Sequence, residues 1–266
     1  MLIADFVLLC KNGGLVASKG QRNVMMKKAL MLVGVGLMLV NFTGSLSCSH
    51  YRYAKRAEAA RTLPEGVAAR PGRIYFVSFP ENCLAVSVLG WHPNVGHASL
   101  LTRDGKNSVK QYDYGWFVGY EGRRPEDAIG YVDENAGYGV VRRKLLPATT
   151  ASKSMTDAEL AKIVLEGMGR SDGKLIYGDK IEMWAKDVDD IGIAERYMEQ
   201  LAEDKDRGSM AWRCWQIGGY RCGNITRQAF DSARGEYHWL DLLWGGFPGA
   251  DAPSIGTEKT TFVNKK

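Results

Sequence analysis

Gly96-His97-Ala98-Ser99-Leu100-Leu101-Thr102, then Arg103-Asp104-Gly105-Lys106-Asn107, then Ser108-Val109-Lys110-Gln111-Tyr112-Asp113-Tyr114, is the stretch whose reading decides the fold. Two runs of strand length flank Asp104-Gly105, a dipeptide that favours the tight turn of a β-hairpin. Antiparallel strands are expected over 96–102 and 108–114. Directly opposed residues of such a pair share one face of the sheet. A loop of odd length around Asp104-Gly105 places Asp113 opposite His97, and one of even length places Tyr112 or Tyr114 there.

Outward from the hairpin, Ile74 to Phe79 and Leu84 to Leu89 are β-branched or aromatic-rich runs separated by Pro80-Glu81-Asn82, which predicts two earlier strands. Gly115 to Gly139, rich in Gly and Tyr, reads as a long loop before a strand at Tyr138 to Leu146. Thr156 to Gly167 carries a helix signature: Thr156 as cap, Glu159 three residues on, and Leu160, Ile163, Val164 and Gly167 on one face. Ile181 to Leu201 has helical composition broken at Gly192, and Glu203-Asp204-Lys205-Asp206 reads as a solvated turn. Asn224 to Ala233 is a short helix candidate directly behind Gly218-Gly219-Tyr220-Arg221-Cys222-Gly223. The expected class is α+β, an antiparallel sheet packed on helices.

The chain has 266 residues, 45% of them apolar and 24% charged, the balance of a globular protein. Its net charge of +5 is concentrated at the N-terminus. Residues 1–48 hold Lys11, Lys19, Arg22, Lys27 and Lys28 against Asp5, leaving 30 basic and 29 acidic side chains beyond them. A balanced body offers no clustered positive surface for phosphate, so nucleic acid is not an expected partner.

Met26-Lys27-Lys28, the apolar run Ala29 to Phe42 and the small residues up to Cys48 have the layout of a signal peptide. The run would cover roughly 21 Å as a helix, short of a hydrocarbon core of about 30 Å. Residues 1–24 form an upstream extension, 25–48 a signal peptide or lipoprotein signal, 49–72 a tether or short helix, and 73–266 the domain. Ser45-Leu46-Ser47-Cys48 resembles a lipobox with its Leu one place out of step, so Cys48 is the candidate for lipidation and membrane anchoring. The expected address is the cell envelope, periplasmic or membrane-anchored. Export permits disulfides, yet Cys83, Cys214 and Cys222 are an odd set, which leaves a free thiol.

Cys222 stands at the head of a helix candidate, where the helix N-terminus lowers a thiol's pKa, and glycines at 218, 219 and 223 expose amides able to hold an oxyanion. The competing reading is a structural cysteine or a Cys214–Cys222 disulfide across seven intervening residues. An imidazole base must come from His50, His92, His97 or His238, and His97 at a strand start is the best placed. Asp113, Tyr112 or Tyr114 is the candidate third member. His92 and His97 lie five apart with a proline between them, and no Cys-x-x-Cys pair exists, so neither metal nor another cofactor is expected. No Gly-x-Ser-x-Gly elbow occurs. Trp212, Trp215, Trp239 and Trp244 suit core and rim positions or a groove; Trp215, Tyr114 and Tyr220 are the candidate substrate contacts.

Gly96-His97-Ala98-Ser99-Leu100-Leu101, Gln111-Tyr112-Asp113-Tyr114-Gly115 and Tyr220-Arg221-Cys222-Gly223-Asn224-Ile225-Thr226 together resemble the circularly permuted papain-like hydrolases. These are relatives of the NlpC-type cell-wall peptidases in which histidine precedes cysteine, and they include lecithin-retinol acyltransferase-like enzymes. The resemblance spans about residues 73–240 as scattered short motifs. It implies a permuted papain-like fold with Cys222 as nucleophile, His97 as base and Asp113 or a neighbouring tyrosine as third member. The implied activity is hydrolysis of an amide or ester, with peptidoglycan peptides the first substrate class and lipids the second. The Gly-Asn after Cys222 and the long 115–139 insertion depart from the pattern. The alternative is a non-catalytic envelope lipoprotein that binds a glycan or protein partner.

Overall fold

The computed structural model describes residues 51–80, 96–115, 127–131, 139–146, 155–168, 170–171, 174–175, 178–204, 222–236 and 257–264. They lie in one compact unit, Ser45–Lys266. The chain runs α1 (51–61), β1 (Gly72–Phe79), β2 (His97–Asp104), β3 (Val109–Gly115), β4 (Val140–Leu146) and α2 (Asp157–Gly167). It continues with β5 (Arg170–Ser171), β6 (Lys174–Leu175), β7 (Lys180–Val188), α3 (Gly192–Glu203), α4 (Cys222–Arg234) and β8 (Glu258–Val263). The class is α+β. Six strands form one antiparallel sheet in the order β4-β3-β2-β1-β7-β8, and β5 and β6 pair separately.

Strand alternation divides the core in two. Ile74, Phe76, Ala98, Leu100, Tyr112 and Tyr114 face one way and pack with Tyr53, Ala57 and Ala60 of α1, Tyr197 and Leu201 of α3, and Ile225, Ala229 and Phe230 of α4. Tyr75, Val77, Phe79, Leu101 and Val109 face the other way, against Leu160, Ala161, Val164 and Leu165 of α2. Helices therefore cover both faces, which explains why β1 is buried on both sides.

The hairpin forms, but its turn is built differently from the expectation. Asn107, at φ 62°, takes the left-handed position, while Asn107 N–H donates to Asp104 O at 3.0 Å. Asp104 Oδ1 also accepts from the amides of Lys106 (2.9 Å) and Ser108 (2.8 Å). This is a three-residue loop closed by a left-handed residue, and Gly105 contributes no positive φ. The loop is odd, as one of the two registers requires. It nonetheless pairs Asp113 with Ser99 rather than with His97, a displacement of two residues that preserves the shared face.

The capping box of α2 is present, with Thr156 accepting from Glu159 N–H and Glu159 reaching back to Thr156 N–H. Two expectations are corrected. Residues 181–188 form a strand, because Ile181, Met183 and Ala185 alternate onto the α2 face while the strand is held between β1 and β8; pairing on both sides overrides the helical composition. Residues 51–61 form the short helix that is one of the two readings of this segment, and it is docked on the core rather than a free tether. Arg56 bonds Asp204 at 3.0 Å, and Arg61 donates to Ser232 O at 3.2 Å, so the core begins upstream of the expected boundary at Arg73. Asp204, assigned to a solvated turn, is thereby part of an ion pair. The strand expected at 84–89 lies outside the described residues, and β8 was not anticipated.

Candidate active site

The site is assembled where two elements begin. Gly96, at φ 64°, turns the chain into β2, a conformation that residues with a Cβ rarely take, so His97 emerges as the first strand residue. Phe79, its cross-strand partner, stacks on the imidazole with ring centroids 5.9 Å apart. Cys222 opens α4, and Thr226, one turn on, points its hydroxyl at Ala98 O at 3.5 Å. Although α4 packs on the Ala98 face and His97 belongs to the opposite one, each residue is the first of its element. The thiol and the imidazole are thus in hydrogen-bond contact at one end of the sheet.

His97 Nε2 lies 3.1 Å from Asp113 Oδ1. That engagement leaves Nδ1 for the thiol. Asp113 is further held by Ser99, whose hydroxyl donates to Oδ1, and by Gln111, whose amide donates to Oδ2 at 3.1 Å. Gln111 also touches Met168 Sδ at 3.0 Å, at the end of α2. Arg142, directly opposite Asp113 on β4, is spent on Asp127, with Nε 2.8 Å from each carboxylate oxygen. Sequence reading missed Ser99 and Gln111; the signal available was their alternation with Asp113 on the hairpin.

Electrostatics follow from this geometry. Burial opposes the ionised form of Cys222, but the hydrogen bond and charge of His97, and then the amides of Ala98 and Gly223, outweigh it and lower the thiol's pKa. Burial likewise opposes the imidazolium, yet Asp113 and Cys222 raise His97 to about 10. For Asp113, burial is overcome by His97, Ser99 and Arg142, and its carboxyl sits below the usual range. All three groups favour one state, thiolate beside imidazolium beside carboxylate.

His97 and Asp113 are 6% and 4% exposed, and Cys222 is a partly covered free thiol, so the Cys214–Cys222 bridge is not formed. Tyr112 is directed elsewhere, its hydroxyl donating to Glu199 at 3.1 Å, and Tyr114 is buried in the core beside α4. Neither stands beside the imidazole as its orienter. Trp215, Tyr220 and Cys48 lie outside the described residues. Among the described residues, no group of three or more His, Cys, Asp or Glu side chains is arranged to hold a metal ion. A cavity of about 560 Å³, lined by Asp127, Arg143, Glu199 and Glu203 among others, opens between α3 and the 127–130 segment. Among the described residues no helix is long and apolar enough to cross a membrane. No family model matches the chain, and no curated protein or solved structure matches it significantly.

Proposed function

We propose that the chain is a cysteine hydrolase of the circularly permuted papain-like type, cleaving an amide or ester bond. The observation that carries this reading is the meeting of a pKa-lowered thiol at a helix N-terminus with an imidazole whose far nitrogen is bonded to a buried carboxylate. That is the arrangement of nucleophile, base and orienter required for acyl transfer. His97 takes the thiol proton on Nδ1, and the thiolate attacks the substrate carbonyl. The imidazolium gives that proton to the departing amine or alkoxide, leaving a thioester on Cys222. Water, deprotonated by His97, then displaces the thiol and releases the acid. The N-terminal turn of α4, whose Gly223 amide already reaches the sulfur, is the place from which a tetrahedral oxyanion would be stabilised.

The leader motif and the resemblance to NlpC-type enzymes make peptide amides of the bacterial cell wall the first substrate class and lipid esters or amides the second. An envelope location and lipidation of Cys48 accompany that reading. The test is iodoacetamide labelling of the full chain at about pH 6, with the modified cysteine mapped by mass. Cys222 should react at least about tenfold faster than an ordinary thiol, which is mostly protonated there. Equal, slow labelling of every cysteine defeats the proposal and favours the binding-lipoprotein alternative.

A further inference from the structure

We propose that Ser99 and Gln111 are positioning residues for Cys222: two neutral donors that fix the Asp113 carboxylate on His97 Nε2 and so turn Nδ1 toward the thiol. The inference rests on the cysteine-hydrolase reading and extends it to residues that touch neither substrate nor thiol. A carboxylate has several acceptor sites and two side-chain torsions, so one hydrogen bond to an imidazole does not fix it. Here Oδ1 is shared between His97 and Ser99, and Oδ2 is taken by Gln111. Ser99 is directly opposite Asp113, and Gln111 is two residues before it on the same face.

The charges around Asp113 explain why the donors are neutral. From β4, Arg142 is engaged by Asp127, and Lys144, opposite Gln111, donates to Gly167 O at 3.1 Å. β1 contributes Phe79 and Val77 on this face, and α4 contributes Cys222. From α2, Asp157 is turned to Arg73 and Tyr75, and Glu159 is folded back on Thr156. Among the described residues, then, no Lys or Arg bonds Asp113 directly. A guanidinium bonded there would compete with the imidazolium directly; a hydroxyl and an amide hold the carboxylate without adding a second cation to Arg142, whose charge already acts on it from β4.

The experiment uses the full chain with Ser99→Ala and, separately, Gln111→Met, each checked for cooperative melting. His97 is followed by NMR of isotopically labelled histidine across pH, and Cys222 by alkylation at about pH 6. Each variant should lower the His97 midpoint by about one unit and slow alkylation about tenfold, the fold-change of one unit. Ser99→Thr, which keeps the hydroxyl, should restore both values. Unchanged midpoints and rates in the folded variants overturn the inference, and the second variant decides if the first does not fold. Should the unaltered chain alkylate at an ordinary rate, the hydrolase reading is what fails. A fall of the His97 midpoint in the variants would still establish that the two donors act through Asp113.

Discussion

Burial alone would oppose the ionised form of Cys222, of His97 and of Asp113; His97 favours the charged form of both its neighbours, and they in turn raise its own pKa. This coupling sets a pH dependence. Reaction through the thiolate should be lost as pH falls through the lowered pKa of Cys222. Any step needing the imidazolium should fail as pH rises through about 10. A pH–rate profile for a hydrolysed substrate should therefore be a broad bell, and a basic limb near the ordinary histidine value of about 6.5 would contradict the geometry. Cys222→Ala should abolish turnover. Asp113→Ala should reduce kcat by about 100-fold, since the imidazole loses its orienting partner. Asp113→Asn, which retains an acceptor without the charge, should cost less, provided that kinetics are compared on folded protein. His97 and Cys222 were legible in the sequence because each begins a local motif, Gly-His and Cys-Gly. Ser99 and Gln111 were not, because their task depends on a register fixed by Asn107 rather than by the Asp-Gly dipeptide.

At the scale of elements, the hairpin and α2 could be read from local patterns alone. Apolar runs with a turn between them, and Thr156 with Glu159, are signals written within a few residues. β7 was misread since its helical composition is overruled by neighbours far along the chain, and β8 carries too little apolar patterning for its edge position to show. Two substitutions test what the elements depend on. Gly130, at φ 68°, lies so close to Ala202 of α3 that an added Cβ would fall 2.4 Å from the Ala202 carbonyl oxygen. Gly130→Ala should therefore destabilise by about 2–3 kcal/mol through overpacking and backbone strain, read as a lower denaturation midpoint. Thr156→Ala removes the side-chain half of the α2 cap, leaving the backbone N–H to Glu159, and should cost about 1 kcal/mol in the same assay. An unaltered midpoint in either case would mean that the segment relaxes without loss.

For the molecule as a whole, α1 and the buried ionic contacts decide where the folded unit starts and how it responds to acid. Tyr53, Ala57 and Ala60 are buried against α3 and α4, so a chain starting at Pro71 should melt less cooperatively than one starting at Ser49. Glu195, 3% exposed, receives Lys110, Arg70 and Thr102, which outweigh burial and lower its pKa. Asp190 is lowered by Arg196 and the Arg70 and Gly192 amides against burial. Groups depressed on folding stabilise above their unfolded values of about 4, and that stability is lost as pH falls through the folded ones. Acid titration of the denaturation midpoint should show this loss, and Glu195→Gln should shrink it while costing about 2 kcal/mol at neutral pH. The burial of α1 escaped sequence reading because an alanine- and arginine-rich segment looks alike whether solvated or docked.

His97 and Asp113 are neighbours within a single hairpin, whereas Cys222 joins them across 125 positions of chain. The thiol–imidazole contact therefore exists only as a product of complete folding. Before α4 docks, its sulfur is an unremarkable thiol near pKa 8.5, poorly reactive toward passing electrophiles. On the proposed reading, a chain still emerging from synthesis would carry no activated thiol until α4 is seated.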